Sequence, residues 1–203
     1  DRRQRQMCIR DRIYIGVVGP VRTGKSTFIK RFMDVAVLPY MEDAAQKTRA
    51  QDELPQSAGG RTITTTEPKF IPQEAVELKL AGEVTIRVRL VDCVGFMVEG
   101  AAGHLEDGAE RLVKTPWYDH EIPMRVAAEE GTRKVIREHS TIGIVVTTDG
   151  SVTELAREDY AAAEARIVAE LQDIGKPFLI LLNTADPAGE AAQTLAAQLR
   201  EQY

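Results

Sequence analysis

The sequence has little cysteine, no excess of positive charge and no long apolar run. Its two cysteines, Cys8 and Cys93, form no C-x-x-C pair. That pattern argues against a disulfide framework, and a reducing cytosolic compartment is the simplest interpretation. No apolar stretch approaches the ~20 residues that a membrane-spanning helix needs. The charged first residues are not followed by the apolar core of a secretion signal.

The net charge of −5 argues against a nucleic-acid-binding protein that relies on bulk charge. A chain of 203 residues suits one α/β domain, whose core is large enough to fold without disulfides. Residues 1–12 carry five arginines and few apolar groups, so we expect a disordered or non-native tail there. The domain itself is predicted over residues 13–203.

What the sequence does contain is a phosphate-binding loop, G-x-x-x-x-G-K-[ST], between an apolar strand pattern and a helical one. Backbone N–H groups of such a loop bind phosphate, Lys25 would reach the β- and γ-phosphates, and the Ser26 hydroxyl would bind Mg²⁺. A chance glycine-rich turn is the alternative, and the flanking strand and helix disfavour it. The nucleotide-binding candidates are Gly19, Pro20, Val21, Arg22, Thr23, Gly24, Lys25, Ser26 and Thr27.

A second half of the site is predicted at Asp92-Cys93-Val94-Gly95, directly after an apolar strand. Asp92 would hold Mg²⁺ through a water or hydroxyl, and the Gly95 N–H would contact the γ-phosphate. D-x-x-G alone is a weak signal, because many strands end in Asp at a turn. Its position after the phosphate loop and a threonine-rich segment favours the functional interpretation.

Three further residue types bear on hydrolysis. Thr65 and Thr66 are candidates for sensing the γ-phosphate and Mg²⁺, with a merely polar loop as the alternative. Phe96 stands where Ras-like enzymes place a water-orienting Gln, so the water must be positioned otherwise. Some related enzymes recruit K⁺ through an Asn at the position of Arg22. We hypothesise that Arg22 supplies a permanent cation there, like an arginine finger in cis.

The base-reading motif of GTPases, N-K-x-D, is altered to Asn183-Thr184-Ala185-Asp186. The Lys that packs over guanine is missing, whereas Asp186 is retained. We interpret this as a GTPase-like scaffold with eroded guanine specificity, so that ATP is favoured. Asp186 keeps a GTP-dependent switch open as the alternative, and a nucleotide-binding structural module with negligible turnover is a third possibility.

Apolar periodicity predicts strands alternating with helices, and hence a mostly parallel sheet covered on both faces. The first helix should bury Phe28, Ile29, Phe32 and either Val35 or Ala36, and a capping box of Ser151 and Glu154 should begin a later one. Residues 96–124 should form an irregular insertion docked by Trp117. Strands are expected over 13–18, 69–80, 84–91, 141–148 and 178–182, and helices over 28–38, 125–139, 151–174 and 190–200.

Long stretches of the chain closely resemble the stage IV sporulation protein A family of spore-coat ATPases. They are GVVGPVRTGKSTFIKRFM, AQDELPQSAGGRTITTTEPKF, RLVDCVG, TPWY, GTRKVIREHSTIGIVVTTDG and GKPF, between residues 13 and about 183. The resemblance implies an α/β P-loop NTPase fold, GTPase-like and translation-factor-related, in a three-layer sandwich. It also implies that the protein binds ATP and Mg²⁺, with Lys25, Asp92 and the sensors Thr65 and Thr66 in the family's roles.

The same resemblance implies a biological role. ATP hydrolysis would drive self-assembly into a polymer that coats the forespore from the mother-cell cytoplasm. An amphipathic membrane peptide would anchor that polymer, and spore coat proteins would build upon it. The family's later domains do not match this chain, so we expect a fragment of a longer protein.

Overall fold

A computed structural model describes residues 12–55, 67–79, 85–101, 105–106 and 109–203. The predicted tail therefore lies outside the described residues except for Arg12. That residue begins the first strand, one residue before the strand start that the sequence predicts. No helix in the described ranges is long and apolar enough to cross a membrane.

The main sheet consists of five strands: β1 (Arg12–Val18), β2 (Lys69–Lys79), β3 (Thr85–Asp92), β8 (Ile142–Thr148) and β9 (Phe178–Asn183). It forms the middle of the domain, in the order β2-β3-β1-β8-β9. All neighbours run parallel except β2, which pairs antiparallel with β3. The predicted α/β class with a mostly parallel sheet is confirmed.

Helices connect the strands as the alternating pattern predicts. They are α1 (Lys25–Phe32), α2 (Ala44–Asp52), α3 (Met124–Lys134), α4 (Arg157–Asp173) and α5 (Glu190–Gln202). Short π-helical turns, Met33–Val37 and Val135–His139, extend α1 and α3. The expected insertion contains two small strand pairs, β4 (Leu105–Glu106) with β5 (Ala109–Glu110) and β6 (Leu112–Val113) with β7 (Ile122–Pro123).

Two apolar cores lie on opposite faces of the sheet, as expected for parallel strands buried on both sides. One core packs α1 and its π-helical extension against the strands, through residues such as Ile29, Met33, Leu90 and Val146. The other packs α4 and the π-helical extension of α3 against the opposite face and includes Phe96, Ile136, Tyr160, Ile167 and Leu171. The strand ends that lead into the phosphate loop are thus packed on both faces of the sheet.

Three local predictions are wrong, and each fails for a physical reason. Of the two residues offered for the last buried position of the first helix, Val35 is 66% exposed and Ala36 is only half-buried, because the π-helical turn shifts the helical phase and turns Met33 and Val37 to the core instead. Helix α4 begins only at Arg157, where the Asp159 carboxylate accepts a hydrogen bond from the backbone of Ala156 at 3.0 Å. Ser151 therefore starts no helix.

Strand β9 is the third case. The sequence predicts a buried strand, because its residues are continuously apolar. In the structure β9 is an edge strand of the described sheet, its residues are at most half-buried, and Leu179 is 62% exposed. A continuous apolar run cannot by itself distinguish a central strand from an edge strand, because sheet order depends on long-range topology.

A buried carboxylate ties α4, α5 and β8 together. Glu164 is fully buried and accepts two hydrogen bonds from the Arg157 guanidinium, at 2.7 and 2.8 Å. Thr147 and the Tyr203 hydroxyl also donate to it, the latter at 3.1 Å. Burial, with the nearby carboxylate, raises the pKa of Tyr203 to about 12. The Tyr203 hydrogen bond thereby attaches the end of α5 to α4.

Removing the arginine from this buried pair should strongly destabilise the domain. We expect Arg157→Ala to lower the free energy of unfolding by about 3–5 kcal/mol, because it leaves the Glu164 carboxylate buried without its cation. Urea denaturation at pH 7 measures the change. Arg137→Ala removes the exposed partner of Glu170 and should cost less than about 1 kcal/mol. Equal losses in the two variants would contradict the prediction.

Candidate functional site

The phosphate loop connects the end of β1 to the start of α1, and its backbone takes shapes that most side chains disfavour. Gly19 and Gly24 have φ of 146° and 95°. A Cβ on Gly19 would lie 2.2 Å from the Val146 carbonyl oxygen, so glycine is required for the close approach to β8. Arg22 has φ of 63°, in the left-handed region that non-glycine residues seldom adopt. Such strain is commonly kept at functional sites.

The Lys25 side chain lies inside the curve of this loop. It is 5% exposed, and its ammonium group donates a hydrogen bond to the Pro20 carbonyl oxygen at 2.6 Å. The Thr23 hydroxyl donates to the same oxygen at 3.0 Å. Burial lowers the pKa of Lys25, although Cys93 and Asp92 nearby act in the opposite direction. The loop therefore surrounds an amine held away from water, which is suited to a highly charged anion.

Asp92 ends β3 beside this lysine, because β3 pairs in parallel with β1 and sets Asp92 opposite Val17. Its Oδ2 accepts a hydrogen bond from the Ser26 hydroxyl at 2.8 Å. Its Oδ1 is buried and has no hydrogen-bond partner among the described residues. Burial raises the pKa of Asp92, while the Ser26 hydrogen bond and the Lys25 charge oppose that rise.

These two side chains fit a magnesium ion. A carboxylate oxygen buried without a partner is costly, and a bound cation would satisfy it. Mg²⁺ prefers oxygen ligands and usually takes one or two from protein, with the rest from water and substrate phosphates. Ser26 and Asp92 supply such a pair. Within the described ranges no group of three or more His, Cys, Asp or Glu residues could hold a metal by itself.

Gly95 closes the site from the other side. Its φ is 96°, and a Cβ there would lie 2.1 Å from the Gly19 carbonyl oxygen and 2.7 Å from the Lys25 ammonium. The next residue, Phe96, accepts a hydrogen bond from the Val21 N–H at 2.9 Å and pairs in parallel with Pro20. The D-x-x-G segment is thus attached directly to the phosphate loop. The sequence does not predict this role of Phe96, because a backbone carbonyl accepts the hydrogen bond and every residue has such a group.

The altered base motif divides into two parts in the structure. The Asn183 amide donates to the Thr23 carbonyl oxygen at 3.0 Å, and its nitrogen would lie 2.5 Å from a Cβ on Gly24. This residue therefore supports the phosphate loop. Asp186 is exposed, and its backbone carbonyl accepts from Gly189 at 3.1 Å. Whether either residue contacts a base stays a prediction.

A hydroxyl cluster that the sequence analysis missed lies between the ends of β8 and β9. Thr184 donates to one carboxylate oxygen of Asp149 at 2.5 Å, and Ser151 donates to the other at 2.6 Å. The Ala185 N–H donates to the Ser151 hydroxyl at 2.8 Å. Burial would raise the pKa of Asp149, but these hydrogen bonds outweigh it and lower that pKa below its usual value. The sequence did contain a signal for this cluster: Asp149 directly follows β8, a strand that pairs with β1.

The structure brings most of the predicted residues together. Lys25, Ser26, Asp92 and Gly95 meet at one edge of the sheet, while Thr27 is exposed on α1 and Arg22 is half-buried in the loop. The sensor candidates Thr65 and Thr66 lie outside the described residues. Their roles, like the catalytic role of Arg22, stay predictions.

A methyl group on Gly95 should disrupt this site. We expect Gly95→Ala to abolish detectable nucleotide binding, because the added carbon would push apart the Gly19 carbonyl and the Lys25 ammonium. Equilibrium binding of a fluorescent nucleotide measures this. Gly175→Ala is the matched control, since Gly175 also has positive φ, 63°, with nothing within 4 Å of the added carbon. Gly175→Ala should bind the nucleotide normally and lose only ~1–2 kcal/mol of unfolding free energy, because alanine is strained in the left-handed backbone conformation. Normal binding by Gly95→Ala would contradict the geometry.

Comparison with known proteins identifies the family of this chain. A family model described as "Stage IV sporulation protein A, ATPase domain" matches residues 4–203. The chain is 54%, 52% and 53% identical to proteins named stage IV sporulation protein A from Bacillus anthracis, Bacillus subtilis (strain 168) and Clostridioides difficile (strain 630). Each match covers 191 residues, 94% of this chain and 39% of the relative's length. The chain belongs to the stage IV sporulation protein A ATPase-domain family.

Proposed function

We propose that this domain is a P-loop NTPase of the GTPase-like, translation-factor-related class, and that it binds and hydrolyses ATP with Mg²⁺. The observation that carries the proposal is the convergence of the Lys25 ammonium, the Ser26–Asp92 pair and Gly95 around one glycine-rich loop. An ammonium, a metal-binding pair and a loop of backbone amides are the groups that phosphoryl transfer needs.

Each group has a defined task in this mechanism. The Lys25 ammonium would leave the Pro20 carbonyl and bind the β- and γ-phosphates, and the loop amides would hold the phosphate oxygens. Ser26 and Asp92 would hold Mg²⁺, which supplies positive charge against the charge that develops on the phosphates. Gly95 would donate its N–H to the γ-phosphate. Thr65 and Thr66 are the proposed sensors of that phosphate and of the metal.

Adenine is the proposed base, for a reason that the hydroxyl cluster supports. Thr184 occupies the position where guanine-specific enzymes have a lysine, and its hydroxyl is already engaged with Asp149 at 2.5 Å. A long aliphatic stem that could cover a guanine ring is therefore lacking at this position. Asp186 remains exposed at the same edge, so a GTP-dependent switch is the second candidate.

The proposed biological role is assembly of the spore coat. Hydrolysis would drive self-assembly of the longer protein into a basement layer on the forespore, from the mother-cell cytoplasm. The partners would be further copies of the protein, an amphipathic membrane-anchor peptide and spore coat proteins. The chain spans 39% of the length of the relatives it matches, so most of these contacts would involve other parts of the protein.

Removing the loop ammonium should weaken ATP binding. We expect Lys25→Ala in the full-length protein to lower ATP affinity by about 10- to 100-fold, because a hydrogen bond to a charged group contributes roughly 1.5–3 kcal/mol. Isothermal titration calorimetry measures the affinity. Lys30→Ala, on the same helix but outside the loop, should bind ATP as the unaltered protein does. Undiminished binding by Lys25→Ala would contradict the proposed site.

The same variants separate the candidate functions when phosphate release and sedimentation are followed together. With ATP, the unaltered protein should release phosphate and form sedimenting polymer, whereas the Lys25→Ala variant should do neither. A clear preference for GTP would favour the switch. Polymer formed equally well with a non-hydrolysable ATP analogue would detach hydrolysis from assembly. ATP binding without phosphate release would favour the structural module.

Arg22 is proposed as the cation that stabilises charge during hydrolysis. We expect Arg22→Asn, assayed without K⁺ because an Asn at this position recruits K⁺ in some related enzymes, to lower kcat by as much as ~10³-fold, the lower end of what an arginine finger contributes, with a much smaller change in ATP affinity. Asn tolerates the left-handed backbone that Arg22 adopts, so the substitution removes the charge with little strain. Steady-state phosphate release measures kcat. A K⁺ requirement in the unaltered protein would contradict the hypothesis.

A further inference from the structure

Phe96 links the nucleotide site to the helix layer. Its backbone accepts the Val21 N–H, and it directly follows Gly95, whose added Cβ would touch both Gly19 and Lys25. Its ring is fully buried in the core between the sheet, α4 and the π-helical extension of α3. Because protein cores are close-packed, a shift of Gly95 towards or away from a phosphate must be accommodated by this ring.

Two guanidinium groups lie against that ring. The central carbons of Arg166 and Arg133 are 4.8 and 5.6 Å from the ring centroid, within the range of cation–π contact. Arg166 is on α4, and its side chain is 51% exposed on its outer side. The Phe96 ring therefore contacts the Arg166 guanidinium, and the position of that guanidinium can be set by residues other than Phe96.

Glu129 on α3 fixes the position of Arg166. The two terminal nitrogens of Arg166 donate to the two Glu129 oxygens at 3.1 and 2.7 Å, and the Glu129 side chain is 8% exposed. A bidentate pair of this kind holds the guanidinium in one plane and one place. Arg133 also lies 3.6 Å from Glu129. Helices α3 and α4 thus hold a rigid guanidinium against the residue that follows D-x-x-G.

We propose that Arg166 is a positioning residue for nucleotide hydrolysis, acting through the Phe96 ring to set where Gly95 and Val21 meet the terminal phosphate. The inference rests on the proposed function of the site. Phe96 stands where other enzymes carry a water-orienting side chain, and its role here is to transmit the rigidity of the helix layer to the loop. Arg166 itself touches neither nucleotide nor metal.

Arg166→Gln in the full-length protein tests the proposal against Arg137→Gln. Arg137 is the matched control, because it also forms an ion pair between α3's extension and α4, with Glu170 at 2.9 Å, and its side chain is 55% exposed. We expect Arg166→Gln to lower kcat for ATP by about 10-fold, since small misplacements at a reacting centre cost up to ~10²-fold. KM should stay within about twofold, because the groups that bind the phosphates are retained.

Two further variants identify the route. Arg166→Lys keeps the charge without the bidentate fork and should restore only part of kcat. In a Phe96→Leu background, Arg166→Gln should have little additional effect, because the ring through which it acts is gone. Glu129 keeps Arg133 at 3.6 Å in Arg166→Gln, so this variant should remain folded, and measuring kcat well below its thermal unfolding midpoint separates positioning from stability.

Each other outcome counts against the inference. Equal kcat values in Arg166→Gln and Arg137→Gln, in protein that hydrolyses ATP normally when unaltered, would overturn the positioning role and leave the proposed function standing. A full effect of Arg166→Gln in the Phe96→Leu background would overturn the route through the ring. Unaltered protein that releases no phosphate would overturn the proposed function, and the inference with it.

Discussion

The site depends on two buried charges near each other: the Lys25 ammonium at the start of α1 and the Asp92 carboxylate at the end of β3. Burial opposes both charges: it lowers the pKa of Lys25 and raises that of Asp92, and each partly offsets the effect on the other. Taking such ions out of water costs several kcal/mol apiece unless they are fully paired. Here one carboxylate oxygen lacks a partner among the described residues. The arrangement is therefore poor for stability alone and well suited to binding a polyanion together with its cation.

Parallel strand pairing creates this arrangement. The β1–β3 register brings Asp92 beside the phosphate loop, and Gly19 and Gly95 lack the side chains that would keep neighbouring backbones apart. Both have positive φ and a backbone oxygen in the space of a Cβ, so alanine could not substitute at either position without moving the loop. Gly24 also has positive φ, but a Cβ there would meet only the Asn183 side chain. Asn183 then supports the loop from β9. The site is consequently built mostly from backbone geometry, with few side chains added.

Much of this could be predicted from sequence because the decisive signals are local. The loop between an apolar strand and a helix predicts Lys25 and Ser26, and Asp92 at a strand end predicts its partner. Local patterns also gave the five strands and most helices. The position of β9 at the edge of the described sheet could not be predicted, because it depends on distant strand pairing. Two local features also escaped prediction: the π-helical phase that exposes Val35, and the hydrogen bond of Ser151 to Asp149 in place of a helix cap. In both, residue type and apolar spacing allow more than one local geometry. The Phe96 contacts could not be predicted, because a backbone acceptor and a cation–π neighbour leave no mark in the local sequence.

The ion pairs between α3, with its extension, and α4 differ in burial and in what they contact. Exposed pairs usually contribute little to stability, and Arg133, Arg137 and Glu170 form a partly exposed group of that kind. Glu129 differs, because it is buried and holds Arg166 in a bidentate geometry against the Phe96 ring. A buried pair is more useful for fixing geometry than for adding free energy. Since Phe96 is bonded through its backbone to the phosphate loop, geometry fixed in the helix layer is also fixed at the loop. The helices that bury one face of the sheet are therefore linked through Phe96 to the geometry of this loop.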